Sequence, residues 1–461
     1  MYFLDSSLKT PLYEQLYLSL KDDIIHNAKI GDKLPSIRKI SALYGISKNT
    51  VETAFSQLYA EGYIESRHKS GYFVSHFKEH ELEPLPKTSS HVLVTPTPDY
   101  VYDFFPARLS KDSFPLKLWK RLYNKAITHL LDFGAYPNRQ GEIPLRYEIA
   151  RYLKASRGVV CHEDHVIIVS SFAEAMEMVA KIFKSHTNQF GIETPGYLVT
   201  HNIFSHYGYH VNHIPMNEHG ILLDALEKTD VKLLYITPSH QYPTGITMPI
   251  TQRLHLLDWA QKNDAYIIED DYDSELSYKT KPIPALQGLD THEKVIYVGT
   301  FSKSLSPALR VGYVVLPPSL LKLYHSLIEH RLTHAYVSLS TQHTLALFMK
   351  EGHWERHLRK IRNINRKKHD MMKKELIHAL GHSMKIIAEG SGLALLIVPT
   401  QPFNYTYFKQ KAQELGVHVY FMQERSCGEF EAIAMGFGGL MEKEIPQAIA
   451  LFKQAWDAAL V

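Results

Sequence analysis

The sequence predicts a two-domain α/β protein: a small N-terminal domain of helices and one hairpin, then a larger domain built on a mostly parallel sheet. Three observations support this prediction. Helical patterns joined by a glycine turn precede a hairpin pattern before residue 75. A stretch with four prolines and no apolar periodicity occupies residues 76–101. From residue 102 to 461, short apolar runs alternate with helical patterns, as expected for a parallel sheet covered by helices.

Composition restricts the classes of function. Hydrophobic content of 45% and charged content of 21% are typical of a soluble globular protein. The net charge of +3 is too small to indicate nucleic-acid binding, so any DNA contact requires a local patch. Two distant cysteines indicate a reducing compartment, and neither a signal peptide nor an apolar run of about 20 residues is visible. We therefore expect a cytoplasmic protein without a membrane span. Because the 27 histidines are scattered, we expect no metal site.

The first domain, residues 1–75, begins with two helical patterns. Apolar residues at helical spacing mark the first helix over residues 12–24. Ser36 precedes a second, short helix that ends near Gly45. A glycine turn then leads into a third helix, so the segment has the pattern of a helix-turn-helix.

The third helix and the hairpin after it suit DNA binding. Ser47 is a good N-cap, and Lys48, Asn49 and Thr50 follow it, where a recognition helix meets bases and phosphates. Residues 62–74 predict a hairpin with a basic tip, placed as a wing for the minor groove. The alternative is a three-helix adaptor with a solvated hairpin, and charge alone does not decide between the two.

Residues 76–101 predict a linker. As a flexible coil this stretch spans about 27 Å. The N-terminal domain is therefore free to sit against a partner chain instead of its own larger domain.

The larger domain carries a lysine at a strand end. Residues 295–298 form an apolar run typical of a buried strand, and Lys303 follows in a turn of small residues. In an open α/β sheet, ligands bind at that edge. A neutral lysine amine attacks carbonyls, while the hydroxyl of Ser302 and the guanidinium of Arg310 suit a phosphate. These groups fit a phosphorylated aldehyde such as pyridoxal 5′-phosphate (PLP); the alternative is a solvated loop.

A second strand, residues 265–268, ends in a cluster of four acids and a tyrosine over residues 269–273. Four carboxylates held close together repel one another unless a cation or a hydrogen-bond donor interacts with them. Asp270 suits the protonated ring nitrogen of PLP, and Tyr272 suits its phenolic oxygen. The alternative is a solvated acidic loop.

These stretches resemble a known family. SKSLSPALR around Lys303, with EDDYDSE and PSHQYPTG before it, is similar to the MocR/GabR subfamily of GntR-family transcription regulators. GDKLPSIRKI, SKNTVETAF, LYAEGYIE and SGYFV resemble the GntR winged helix. The resemblance implies a PLP-dependent fold-type I aminotransferase-like domain over residues 102–461, ending in a small α+β domain. It also implies that the Lys303 amine forms an aldimine with PLP.

The resemblance also assigns individual residues. It implies that Tyr197 of PGY stacks on the PLP ring and that Ser171 contacts the phosphate, although Phe172 and Ala173 replace the family's polar residues. Tyr242 stands where aminotransferases have asparagine, which favours a regulator; His240 or Gln241 is then the substitute polar contact. Arg425 is the candidate for an effector carboxylate, since Val199 replaces the second arginine. DNA contacts are implied for the following residues: Ser36, Arg38, Ser47, Lys48, Asn49, Thr50, Lys69 and Gly71.

The expected function is therefore a PLP-dependent regulator that senses an amino compound, or PLP itself, and binds a double-stranded DNA operator as a head-to-tail homodimer. The alternatives are a working aminotransferase with an appended DNA-binding domain, and a regulator that has lost PLP. A basic run over residues 356–368 predicts a solvated helix face.

Overall fold

The computed structural model describes residues 4–76, 100–129, 131–132, 134–278, 283–330 and 337–460. The chain divides into two compact units, Met1–Thr97 and Pro98–Val461. Most of the expected linker lies outside the described residues, so the domain limits of 1–75, 76–101 and 102–461 stay predictions. No helix in the described part of the chain has both the length and the apolar composition that a membrane span requires.

The N-terminal unit contains three helices and a hairpin, as the sequence predicts. Its elements are α1 (Leu12–His26), α2 (Ile37–Tyr44), α3 (Lys48–Ala60), β1 (Ile64–Arg67) and β2 (Gly71–Val74). Apolar side chains from the helices form its core, with Leu16, Phe55 and Leu58 fully buried. The two strands are antiparallel, and the hairpin closes where Arg67 faces Gly71.

The C-terminal unit alternates strands and helices. Its first part contains β3 (Tyr102–Asp103), α4 (Leu116–His129), α5 (Ile143–Arg157), β4 (Val166–Val169), α6 (Phe172–Phe183), β5 (Gln189–Thr194), β6 (Gly196–Tyr197), α7 (Leu198–His206), β7 (His210–Asn217), β8 (Gly220–Ile221), α8 (Leu223–Leu226), β9 (Leu233–Ile236), α9 (Ile250–Lys262), β10 (Tyr266–Asp271), β11 (Val295–Thr300) and β12 (Gly312–Val315). Its second part contains α10 (Pro318–Glu329), α11 (Leu339–Lys350), α12 (His353–Leu380), β13 (Met384–Ala388), β14 (Ala394–Pro399), α13 (Tyr405–Glu414), β15 (Val417–His418), β16 (Tyr420–Phe421), β17 (Ser426–Cys427), β18 (Ile433–Gly436) and α14 (Ile445–Ala459).

An eight-stranded sheet in the order β4-β12-β11-β10-β9-β5-β7-β8 forms the centre of this unit. Strands β11, β10, β9, β5 and β7 are parallel to their neighbours in that series, whereas β12 is antiparallel to both β11 and β4. Every residue of β4 and β9 is buried, as expected for strands covered on both faces. The mostly parallel sheet is therefore confirmed.

A smaller α+β part follows α12. An antiparallel sheet in the order β13-β14-β18-β16 packs with α12, α13 and α14 around Phe408, Phe452 and Trp456. The prediction of a solvated face over residues 356–368 is wrong for Lys368, which is only 3% exposed. Its ammonium donates a hydrogen bond to the carbonyl of Gly438 over 3.0 Å, because a buried lysine needs an acceptor.

Candidate functional site

The predicted phosphate-binding residues lie close to one row of paired residues that crosses three strands of the central sheet. That row consists of Val169 in β4, Gly312 in β12 and Thr300 in β11. Ser171 and Ser302 lie two residues beyond the row, and Arg310 lies two residues before it on the antiparallel strand. Sheet register therefore brings Ser171, Ser302 and Arg310 to the same edge, where α/β proteins bind ligands.

The N-terminus of α6 adds backbone donors at this edge. Ser171 is its N-cap, and its hydroxyl accepts a hydrogen bond from the amide of Glu174 over 3.1 Å. The Glu174 carboxylate accepts hydrogen bonds from the amide and the hydroxyl of Ser170, both over 2.6 Å. The amides of Phe172 and Ala173 find no acceptor among the described residues. A helix start with free amides is suited to an anion such as a phosphate.

Arg310 has an unusual backbone. Its φ of 53° lies in the left-handed region, and its side chain is exposed. A non-glycine residue in that region is costly and is common at ligand sites. Ser302, half-buried, donates its amide to the hydroxyl of Thr300 over 3.1 Å, which shapes the turn before Lys303.

Lys303 is half-buried in the loop that follows β11. Burial lowers the pKa of its amine to about 8, and Arg425 acts in the same direction, while Asp273 and Asp270 oppose them. A lysine with this pKa is partly neutral near pH 7, as a nucleophilic amine must be.

Asp270 is the neighbouring buried acid. It lies in β10, directly opposite Val298 of β11, so it shares the sheet edge with the Lys303 loop. Burial raises the pKa of its carboxyl to about 7, although the hydroxyl of Tyr235 donates to it over 2.6 Å. An added cation at this carboxyl would be favourable.

Three aromatic rings lie near this carboxyl and two more pack against them, and we call the five the aromatic box: Tyr197, Tyr235 and Tyr272, with Phe172 and Tyr242. Phe172 contacts Tyr197 and Tyr235, with ring centroids 5.4 and 6.1 Å apart. Tyr242 lies 5.0 Å from Tyr197 and 6.2 Å from Tyr272 by the same measure. The rings pack edge to face and form a largely aromatic cluster next to Asp270.

His240, one of the two substitutes for the missing asparagine, contacts Tyr272. Its Nδ1 lies 3.1 Å from the Tyr272 hydroxyl and 2.8 Å from the Asp273 carboxylate. The amide of Gln241 is instead engaged with the carbonyls of Pro195 and Tyr242. Of the two candidates, His240 is the one that contacts Tyr272, the residue predicted to face the ring oxygen.

Arg425, which belongs to the small α+β part, lies near Lys303. Its guanidinium is 5.1 Å from the ring centroid of Phe105 and 5.5 Å from that of Tyr420. Its charge acts on Lys303, Tyr197 and Tyr242. Arg425 therefore brings one positive charge from a distant segment close to the Lys303 amine.

In the N-terminal unit, the predicted DNA-contacting residues lie at two helix starts and the hairpin tip. Ser36 caps α2 through the Lys39 amide at 3.3 Å, and Ser47 caps α3 through the Thr50 amide at 3.1 Å. The following side chains are exposed: Arg38, Lys48, Asn49 and Lys69.

The hairpin tip depends on left-handed backbone. Lys69 has a φ of 56° and Gly71 a φ of 102°, which glycine adopts without strain. Arg67 pairs with Glu65 over 2.7 Å and packs 4.4 Å from the ring centroid of Phe73. The tip is therefore held in a defined shape with its lysine in solvent.

Comparisons with known proteins match both units. Residues 12–74 match the bacterial regulatory proteins of the gntR family, and residues 111–447 match aminotransferase class I and II. The uncharacterized HTH-type transcriptional regulator YdeL of Bacillus subtilis is 36% identical over 98% of each chain. The "Probable rhizopine catabolism regulatory protein MocR" of Rhizobium meliloti is 30% identical over 99% of this chain and 96% of that protein.

The chain belongs to the MocR/GabR subfamily of GntR-family regulators. The fold agrees with this membership. Kynurenine aminotransferase of Pyrococcus horikoshii superposes with a TM-score of 0.70 at 21% identity, covering 83% of this chain and 97% of that one. The fold-type I aminotransferase architecture of the C-terminal unit is therefore confirmed.

As a MocR-like regulator with an aminotransferase class I and II domain, the protein uses PLP as its cofactor. Its residues fit that group. Lys303 offers an amine of lowered pKa, Asp270 a buried carboxyl of raised pKa that would favour a protonated ring nitrogen, and the aromatic box supplies aromatic side chains near both. The amides of Phe172 and Ala173, which have no acceptor among the described residues, are placed at the helix start that would face an anion.

Sequence reasoning in this MocR-like chain missed two residues of the site. Tyr235 donates to Asp270, and Asp273 holds His240. A signal was present for Asp273, which lies in the acidic cluster after β10. Tyr235 carries no such signal, because it sits in an apolar strand and only sheet register brings it to Asp270.

Proposed function

We propose that this regulator binds PLP at Lys303, senses an amino compound or PLP itself there, and passes the state of the site to the winged helix on DNA. The observation that carries the proposal is the lowered pKa of Lys303 beside the buried Asp270, in a chain that also has an exposed recognition helix. When bound, PLP supplies an aldehyde that takes an amine and a ring that withdraws electrons.

Each residue then has a task. Asp270 holds a proton at the ring nitrogen, and the Tyr235 hydroxyl orients that carboxylate. Tyr272, bonded to His240, faces the ring oxygen, while Tyr197 covers the ring. Ser171, Ser302, Arg310 and the first amides of α6 bind the phosphate. Arg425 binds the carboxylate of an amino-acid effector.

On the DNA side, the N-terminus of α3 enters the major groove with Lys48, Asn49 and Thr50. Lys48 serves as a phosphate contact, because lysine lacks the fork that reads guanine. Ser36, Arg38 and Ser47 contact the backbone, and Lys69 and Gly71 bring the wing to the minor groove. A head-to-tail homodimer, with each winged helix near the partner's effector unit, reads two half-sites in the bacterial cytoplasm.

Coupling between the two sites is of the order of 1–3 kcal/mol, typical of ligand-responsive regulators. Asp270, Asp273 and Arg425 all act on the Lys303 amine, so a change in the charge of that amine on effector binding would be felt by all three. Replacing asparagine by Tyr242 removes a polar group that aminotransferases use, and this favours sensing over turnover.

The test uses purified full-length protein incubated with PLP. We expect visible absorbance, borohydride-fixed cofactor on the peptide that contains Lys303, and amine-dependent binding to an operator selected from random duplex DNA. Lys303→Ala should lose the absorbance and the amine response but keep its fold and DNA binding, whereas Lys322→Ala, at an exposed lysine of α10, should behave as wild type. Protein that stays colourless and traps nothing at Lys303 rejects the proposal. Fast conversion of amino acids, with full turnover, would favour an aminotransferase instead.

A further inference from the structure

A cavity of about 480 Å³ opens beside Lys303. One wall is the segment before α4, residues 103–114, and the other is the loop after β11, residues 302–307. Its charged lining consists of three cations and one anion: Arg108, Lys111, Lys303 and Asp103. A cavity of this size with an excess of positive charge suits a small anionic ligand.

Arg108 is seated on a pair of glycines. A Cβ atom on Gly438 would lie 2.3 Å from the carbonyl oxygen of Arg108, and one on Gly439 would lie 3.0 Å from its Cγ and Cδ. Any other residue would therefore push this arginine away. The pair is fixed in turn by Lys368, whose buried ammonium binds the Gly438 carbonyl.

Asp103 orients the Arg108 guanidinium without using all of it. The Nη1 atom donates to Oδ2 of Asp103, whose Oδ1 accepts from the Phe105 amide at 3.1 Å and the Tyr420 hydroxyl at 2.9 Å. Nε and Nη2 have no acceptor among the described residues, and the Arg108 side chain is 54% exposed. Two donors of a planar fork remain available to a ligand.

The charges of Arg108 and Arg425 both act on Tyr420, whose ring packs against Phe105. Phe105 lines the cavity and is three residues from Arg108, and the Arg425 guanidinium packs 5.1 Å from its ring centroid. Arg108 therefore lines the cavity beside the Lys303 amine, and the charge of Arg425 acts on the same amine. Among the described residues that line the cavity, Asp103 carries the one carboxylate.

We propose that Arg108 binds a second acidic group of the effector, so that the effector class is an amino acid with an acidic side chain. Arg425 takes the carboxylate next to the amine, and Arg108 takes the distal one. This inference rests on the proposed function, because it assumes that an amino compound enters the site at Lys303.

Matched amino-acid pairs that differ only in side-chain charge test this inference. L-glutamate and L-glutamine, and L-aspartate and L-asparagine, are titrated into PLP-loaded full-length protein while the visible absorbance is followed. We expect wild type to bind the acidic member of at least one pair about tenfold more tightly. Equal affinity within both pairs, or preference for the amides, overturns the inference while leaving PLP binding and DNA regulation intact.

Variants assign the preference to Arg108. Arg108→Gln should bind the acidic amino acid more weakly and so lose most of the preference for it over the amide. Its affinity for PLP should be unchanged. Arg121→Gln, at an exposed position of α4, is the matched control and should keep the preference. Arg108→Lys retains charge without the fork and should fall between, which provides a second test if the glutamine variant folds poorly. A variant that keeps the preference, or that instead loses PLP affinity, contradicts the assignment. Failure of wild type to load PLP would reject the proposed function itself.

Discussion

The Nδ1 atom of His240 lies 2.8 Å from the carboxylate of Asp273. The same nitrogen is 3.1 Å from the Tyr272 hydroxyl, and Nε2 is buried without a partner among the described residues. Burial alone would lower the pKa of His240, but Asp273 outweighs it and raises that pKa above 6.5. His240 is therefore a proton-holding group beside the predicted ring-oxygen contact.

This pair predicts a pH-dependent stability difference. A histidine whose pKa is raised by folding contributes stability that is complete below its unfolded pKa, near 6.5, and lost as pH rises through the folded value. We expect His240→Gln to lower the unfolding free energy. This loss should be about 1 kcal/mol larger at about pH 6 than at about pH 9. Urea unfolding at both pH values measures it.

Asp273→Asn is the control for this prediction, because it removes the carboxylate that raises the histidine pKa. In that background, the effect of His240→Gln should no longer fall with rising pH. A wild-type advantage that grows with pH would show that His240 is neutral in the folded protein.

The lowered pKa of Lys303 predicts the pH profile of PLP attachment. Since only the neutral amine attacks an aldehyde, the attachment rate should rise about tenfold per pH unit and level off above about pH 8. Stopped-flow absorbance of the cofactor-free protein gives this profile.

Two variants should move that midpoint in opposite directions. Arg425→Gln removes a cation that lowers the lysine pKa and should raise the midpoint, whereas Asp273→Asn removes an anion and should lower it. Shifts in the same direction, or a wild-type midpoint near the ordinary lysine value of 10.5, would mean that the local charges do not set the reactivity.

Local patterns predict the parts of the site that follow strands. Asp270 and Lys303 are identifiable because each follows an apolar run, and Ser47 because its type and position suit an N-cap. Arg108 cannot be identified in this way, because the position of its side chain depends on packing against Gly439, near the other end of the chain. The bond from Tyr235 to Asp270 likewise requires the sheet order, which no local pattern contains.

Behind the site, Arg157 and Asp271 form a buried ion pair. Arg157 ends α5, and its Nε lies 2.7 Å from Oδ2 of Asp271, with both side chains 2% exposed. Its Nη2 also donates to the Ser239 hydroxyl over 2.8 Å. The pair anchors the end of β10 next to Asp270.

We expect Arg157→Met to cost about 3–5 kcal/mol of unfolding free energy, because it leaves Asp271 buried without its cation. Arg151→Met, six residues earlier on the same helix and 49% exposed beside Glu148, should cost about 1 kcal/mol or less. Urea unfolding of both variants makes the comparison. Adding Asp271→Asn to Arg157→Met should recover part of the loss, and similar costs for the two arginines would contradict the buried-pair argument.

The exposed Arg38, second residue of α2, provides the last prediction. If it neutralises one DNA phosphate, binding releases one set of condensed counterions at that position. Arg38→Ala should then weaken binding to mixed-sequence duplex DNA and reduce the slope of log affinity against log salt by about 0.9. Fluorescence anisotropy over a salt series measures both effects. Lys9→Ala, an exposed cation outside the helix-turn-helix, should leave the slope unchanged. An Arg38→Ala slope equal to wild type would remove Arg38 from the DNA-binding surface, whatever happens to the affinity at one salt concentration.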